Sequence, residues 1–159
     1  MGCRFMKITR IKPLYIPENQ EKVKEVYYPV WIYVFSYVVK RRIFGDIKGN
    51  IIVLVDGINQ KGYLADIFPE IEEIHVIDNK AKILEPQISD EKSEEIAKDR
   101  AEALLFRKYA YLKFTYQLTQ KAFTYKLFWA RKEENKYFLM DSITGEEIEV
   151  LPYEGHERK

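Results

Sequence analysis

The chain has 159 residues, of which 47% are hydrophobic and 14% aromatic. That composition excludes a disordered chain and lets roughly 70% of the unfolded surface be buried, in one domain or in two small lobes sharing a core. The formal net charge of +1 hides strong segregation: residues 1–66 carry 11 basic and 6 acidic side chains, 67–106 carry 5 and 11, 107–132 carry 7 and none, and 133–159 carry 3 and 8. Blocks of opposite sign can pair within a fold, so the basic blocks do not by themselves define a polyanion binder.

Along the chain, "KITRIKPLYI" reads as an edge strand or extended arm limited by Pro13 and Pro17, and "PENQEKVKEV" as a surface connection or one short helical turn. From Tyr28 to Val39 nearly every residue is apolar, with Trp31, Tyr33, Phe35 and Tyr37 on one face and Val30, Ile32, Val34 and Val38 on the other. Such a strand is either central in a sheet covered on both sides or covered by a second subunit. "KRRIFGDIKGN" turns the chain, "IIVLV" at 51–55 is a short buried strand, and Asp56-Gly57 opens the next turn.

Residues 69–88 show no sustained period. "EIEEIHVI" fits an edge strand, and Pro86 marks the best boundary between an N-terminal β-rich lobe, 1–85, and a unit at 86–152 followed by a polar tail, 153–159, all of which could equally form one integrated domain. A helix follows, capped by Ser89 or Asp90, with Glu91, Glu94 and Glu95 in its first turns and Ala97, Ala101, Leu104 and Leu105 as its apolar stripe down to about Lys108. Beyond it lie aromatic, threonine-rich strands, with Phe123, Tyr125, Leu127 and Trp129 on one face. The near-copies "KFTYQL" and "AFTYKL" stand nine residues apart and leave the register open. "KYFLM" and "EEIEVL" end the chain as strands joined by a turn at Asp141 and Gly145.

The chemical inventory is sparse. A single cysteine, Cys3, and two distant histidines, His75 and His156, argue against a structural metal site and for a reducing, cytoplasmic setting. No export signal is visible in "MGCRFMKITRIK", and the apolar run at 30–39 is too short to span a bilayer, so membrane insertion is not expected. No phosphate-binding glycine run and no glycine-framed serine is present, and no cofactor is implied. Asp56 and Asp141 read as turn residues that accept backbone N–H bonds rather than as a carboxylate pair. The stretch 107–132, basic and aromatic, has the ingredients of a single-stranded nucleic-acid surface. If 113–121 is one strand, however, Lys113, Thr115, Gln117, Thr119 and Lys121 share a face and the aromatics point away, a solvated basic face balanced by the acidic helix or by Glu146, Glu147 and Glu149.

"YYPVW" (27–31) matches "YKLFW" (125–129), each followed by a strand ending in an Asp turn, which reads as a tandem hairpin unit. The segments "SDEKSEEIAKDRAEALL", "YKLFWA" and "KYFLMDSITGEEIEVL", spanning roughly 88–151, resemble the PepSY class of modules. That resemblance implies a non-catalytic binding, inhibitory or accessory unit. The first copy departs from the pattern, since it lacks the helix and has Asn59-Gln60 where Thr144-Gly145 stands in the second.

The expected protein is therefore α+β, an antiparallel sheet of tandem hairpin units with one main helix packed on it. It would act as a non-enzymatic binding or assembly module with a protein partner or as a homodimer. Its alternative is a nucleic-acid accessory protein. The candidate contact residues are Lys113, Lys121, Lys126 and Lys132 with Trp31, Tyr33 and Phe35.

Overall fold

The computed structural model describes residues 5–77 and 80–150. Cys3, His156 and the tail at 153–159 lie outside the described residues. β-Branched and aromatic runs put most of the chain into strands, and the described residues form a mixed sheet of nine strands with one α-helix, an α+β arrangement. In chain order these are β1 (Phe5–Ile11), β2 (Val23–Lys40), β3 (Ile47–Asp56), β4 (Gly62–Ala65), β5 (Ile71–Ile77), β6 (Ala81–Ile83), α1 (Asp90–Lys108), β7 (Lys113–Glu133), β8 (Lys136–Asp141) and β9 (Glu147–Val150).

The sheet is mixed rather than antiparallel. β1 runs parallel to β7 at Arg10 and Tyr125, and β6 runs parallel to β2 over Glu25–Tyr27. Parallel neighbours need a long crossover, so no local turn residue announces them in sequence.

The chain divides into two compact units, each drawn from separate stretches. One takes the described residues up to Tyr28, Glu70–Leu84 and those from Tyr125 onward; the other takes Pro29–Pro69 and Glu85–Thr124. The strands β2 and β7 each contribute a stretch to either unit.

In the unit containing α1, β3 pairs antiparallel with β2, placing Trp31 opposite Val55, Tyr33 opposite Val53 and Phe35 opposite Ile51. Their period of two puts these six side chains on one face, where they meet the helix residues Ala97, Ala101 and Leu105 in a single core. Ser93 continues this four-residue stripe and is also buried. Small residues at 93, 97 and 101 let the helix axis come close to the rings of Tyr33 and Phe35. Full burial of each large apolar side chain contributes roughly 1.5–3 kcal/mol. Ile32, on the other face of β2, is fully buried as well.

β7 does not keep one alternation. Phe114, Tyr116 and Leu118 pack against the α1 core, yet Phe123 meets the Trp31 ring at 4.8 Å and Lys121 reaches helix carboxylates. The period of two therefore slips by one residue between 118 and 121, as a bulge does. Lys121 consequently does not share the outer face with Lys113, Thr115 and Gln117.

In the other unit, β5 pairs antiparallel with β1, and the basic first strand meets acidic partners: Arg10 Nε lies 2.7 Å from Glu72 and Lys7 Nζ 3.2 Å from Glu73. Ile8, Tyr27, Val76, Ala81, Leu127 and Trp129 form its core. β8 joins β7 with Trp129 opposite Met140, and β9 joins β8 with Glu147 opposite Met140.

Candidate functional site

Asp141 holds a turn. Its Oδ1 accepts from the backbone N–H of Ile143 at 2.8 Å and of Thr144 at 3.3 Å, while Gly145 N–H donates to the Asp141 carbonyl at 2.8 Å. Gly145 has φ +77°, and a Cβ there would stand 2.9 Å from the Tyr15 ring. The remaining carboxylate oxygen faces Lys126 Nζ at 2.6 Å. Asp56 does the same in its own unit, with Oδ1 accepting from Ile58 and Asn59 N–H at 2.8 Å each and Gln60 at φ +60°.

The basic residues of 107–132 are largely engaged. Lys121 Nζ bonds Asp90 and lies 3.5 Å from Glu94, both on the first turns of α1. Arg131 grips Glu147 through two nitrogens at 2.7 and 2.8 Å, which holds the Glu147 carboxyl below its ordinary value. Lys132 lies over the Tyr137 ring at 5.4 Å. Among the described residues Lys113 meets no carboxylate. Trp31, Tyr33 and Phe35 sit in the core beneath α1 instead of on a surface, so a partner has no access to these rings while the helix is in place.

Two polar hydroxyls in the α1 unit are tied to helix groups. Ser93 Oγ donates to the Asp90 carbonyl at 2.7 Å and shares a short hydrogen bond with the Tyr33 hydroxyl. Burial raises the Tyr33 pKa, and burial with the Glu102 carboxylate pushes Tyr116 from its ordinary 10.0 up to about 12.

One end of the α1 unit differs from the rest of its surface. The β2–β3 turn carries Ile43 and Phe44, both exposed, with Phe44 at 87% and with φ +71°. That backbone region is strained for a bulky side chain and costs on the order of 1–3 kcal/mol. Arg41 braces the turn by donating from Nε to the Gly45 carbonyl at 2.8 Å and from Nη2 to the Phe44 carbonyl at 3.0 Å. The α1–β7 connection lies at the same end, because Tyr109 at the helix C-terminus meets Tyr37 near the end of β2 with ring centroids 6.2 Å apart. It adds Tyr111, which is 100% exposed, together with exposed Leu112 and, on the last helical turn, Phe106.

Cations surround these side chains. Residues 40–48 contain Lys40, Arg41, Arg42 and Lys48 against Asp46 alone, which Lys40 holds at 2.8 Å. Residues 103–120 contain Arg107, Lys108 and Lys113 and no carboxylate. In the sequence, 40–50 reads only as a turn. The available signal is the pair Ile43-Phe44 inside a basic turn, where small polar residues ordinarily stand.

Among the described residues no group of three or more His, Cys, Asp or Glu side chains could hold a metal ion, and no helix is long and apolar enough to cross a membrane. Comparison with family models, curated proteins and solved structures finds no match to the chain.

Proposed function

We propose that the chain is a non-catalytic docking module in which a duplicated β-scaffold holds one apolar, cationic end for a partner surface. Parallel hydrogen-bonding patterns support the duplication. Val30 stands opposite Asp56 and Phe128 opposite Asp141 at the two turn entrances, and Val55 pairs with Gly62 as Met140 pairs with Glu147. Gly57 N–H donates to the Pro29 carbonyl, and Ser142 N–H to that of Leu127. Pro13 and Pro86 precede matching contacts as well, from Leu14 N–H to the Ser142 carbonyl and from Gln87 N–H to the Gly57 carbonyl. The PepSY-like reading of 88–151, a non-catalytic binding unit, agrees with this proposal.

Against that common plan the docking end is an addition. Trp31 and Asp56 are 25 positions apart but Trp129 and Asp141 only 12, and the shorter hairpin closes through polar Glu134 and Asn135 while the longer one presents Ile43 and Phe44. The observation that carries the proposal is Phe44, a strained residue whose ring packs on little but the Arg41 guanidinium 5.9 Å away. A residue held for contact with a partner should be dispensable for folding. Phe44→Gly should leave the melting temperature unchanged or raise it by up to about 3 °C, since relief of left-handed strain offsets the added chain entropy. A loss of more than about 1 kcal/mol in urea unfolding would make Phe44 a packing residue and overturn the proposal.

A second reading, a single-stranded nucleic-acid accessory protein, rests on Lys113, which has no carboxylate partner among the described residues, beside the outward-facing Thr115 and Gln117. It requires salt-sensitive binding of a labelled mixed-sequence strand that weakens in Lys113→Glu. Absence of binding at low salt removes it.

A further inference from the structure

We infer that the partner surface is an anionic lipid bilayer, on which the chain sits by burying Ile43, Phe44, Tyr111 and Leu112 at the headgroup boundary. This inference rests on the docking reading above and names the occupant.

Three features favour a lipid surface over a grooved macromolecule. Two of the four side chains are aliphatic, so they offer no face on which a base can stack, whereas any apolar side chain gains by entering the acyl boundary. All four stand on turns at one end of the unit, and two clefts of the described residues are formed by other side chains, by Asp90, Glu94 and Lys121 in one case and by Glu25, His75 and Trp129 in the other. The apolar tips are also accompanied by cations without acidic partners. Among the described residues Arg42, Arg107 and Lys113 meet no carboxylate, and phosphatidylserine-type headgroups would supply the missing anions.

The rest of the unit orients it. Asp90, Glu91, Glu94 and Glu95 occupy the opposite end of the 19-residue helix, about 20–27 Å from its C-terminus. Lys92, Lys98 and Lys121 offset part of that charge through ion pairs with Asp90, Glu94 and Glu95, so an anionic surface favours the end that carries Arg107, Lys108 and Lys113. That end also carries Tyr111 and Phe44, the two most exposed large apolar side chains among the described residues.

The test is co-sedimentation of the full chain with phosphatidylcholine vesicles, with and without about one-third phosphatidylserine. The expected result is binding to the anionic vesicles alone, weakened by salt and reduced at least about tenfold by Phe44→Ser with Tyr111→Ser and by Arg42→Glu with Lys113→Glu. Circular dichroism should be unchanged in both variants, since all four side chains lie outside the core. Failure of the wild-type chain to bind anionic vesicles at low salt overturns the lipid inference and leaves the docking reading to stand on the Phe44→Gly result. Binding that both double variants retain overturns the assignment of this end. If a single nucleic-acid strand binds at low salt and vesicles do not, with the same variants abolishing binding, the occupant is nucleic acid and the lipid inference is wrong.

Discussion

Asp141 works through its backbone neighbours: one carboxylate oxygen collects two N–H groups, and the other meets Lys126. Asp141→Ala should cost about 1–3 kcal/mol, because it leaves those donors and the partly buried ammonium unmatched, whereas Asp141→Asn should keep most of the turn. Gly145→Ala should cost at least as much, since positive φ and the Tyr15 ring both oppose a Cβ. Urea midpoints for the three variants check this order, and an Asp141→Ala protein as stable as wild type contradicts it. The tyrosines give a pH test. A folded-state pKa raised to about 12 for Tyr116 means that its contribution to stability is fully present below its ordinary value of 10.0 and is lost as pH rises through the folded value. Tyr27 and Tyr33 are shifted in the same direction by burial. In the folded protein the near-ultraviolet phenolate signal should therefore lag behind that of the urea-unfolded chain above pH about 10. Superimposable titrations would contradict the buried hydroxyl network. The Asp turns are legible from residue type alone because turn chemistry is local. Ser93 is not, because a serine inside a helix pattern reads as solvent-facing until the Tyr33 hydroxyl is placed against it.

Of the two residues that could cap helix α1, Ser89 is the cap, its hydroxyl accepting from Lys92 N–H at 3.0 Å, and acidic residues fill the first turn. Its buried stripe at 93, 97, 101 and 105 is narrow and mostly small, so size matters in both directions. Leu105→Ala should cost about 2–5 kcal/mol by leaving a cavity, and Ala101→Leu about 1–3 kcal/mol by forcing the helix off the sheet. If Ala101→Leu were neutral in urea unfolding, α1 would not be seated on Tyr33 and Phe35 as described. Strand β7 was less legible. Its two near-copies stand an odd number of residues apart, so a regular strand would turn Phe114 and Phe123 to opposite faces. In the structure both rings reach side chains of the α1 core or its rim, and only the slip between 118 and 121 permits that. Periodicity within either copy carries no trace of it.

At the scale of the whole molecule, the α+β class follows from strand composition and one well-capped helix, both of which are local properties. The parallel pairings and the drawing of each unit from separate stretches depend on contacts many residues apart, such as Arg10 with Tyr125, and no short window encodes them. Charge segregation is resolved in part by partners the sequence could suggest but not assign: basic β1 lies against acidic β5, and Lys121 against the start of α1. Arg42, Arg107 and Lys113, which meet no carboxylate among the described residues, lie at or beside the β2–β3 and α1–β7 turns, with the exposed Phe44 and Tyr111. The most direct measurement is the emission of a Phe44→Trp variant, with the wild-type signal of buried Trp31 and Trp129 subtracted, on anionic vesicles containing brominated lipid. The account predicts a blue shift and strong quenching of the added indole. A bound protein whose added indole keeps its aqueous spectrum and escapes quenching would place the contact on another face and contradict it.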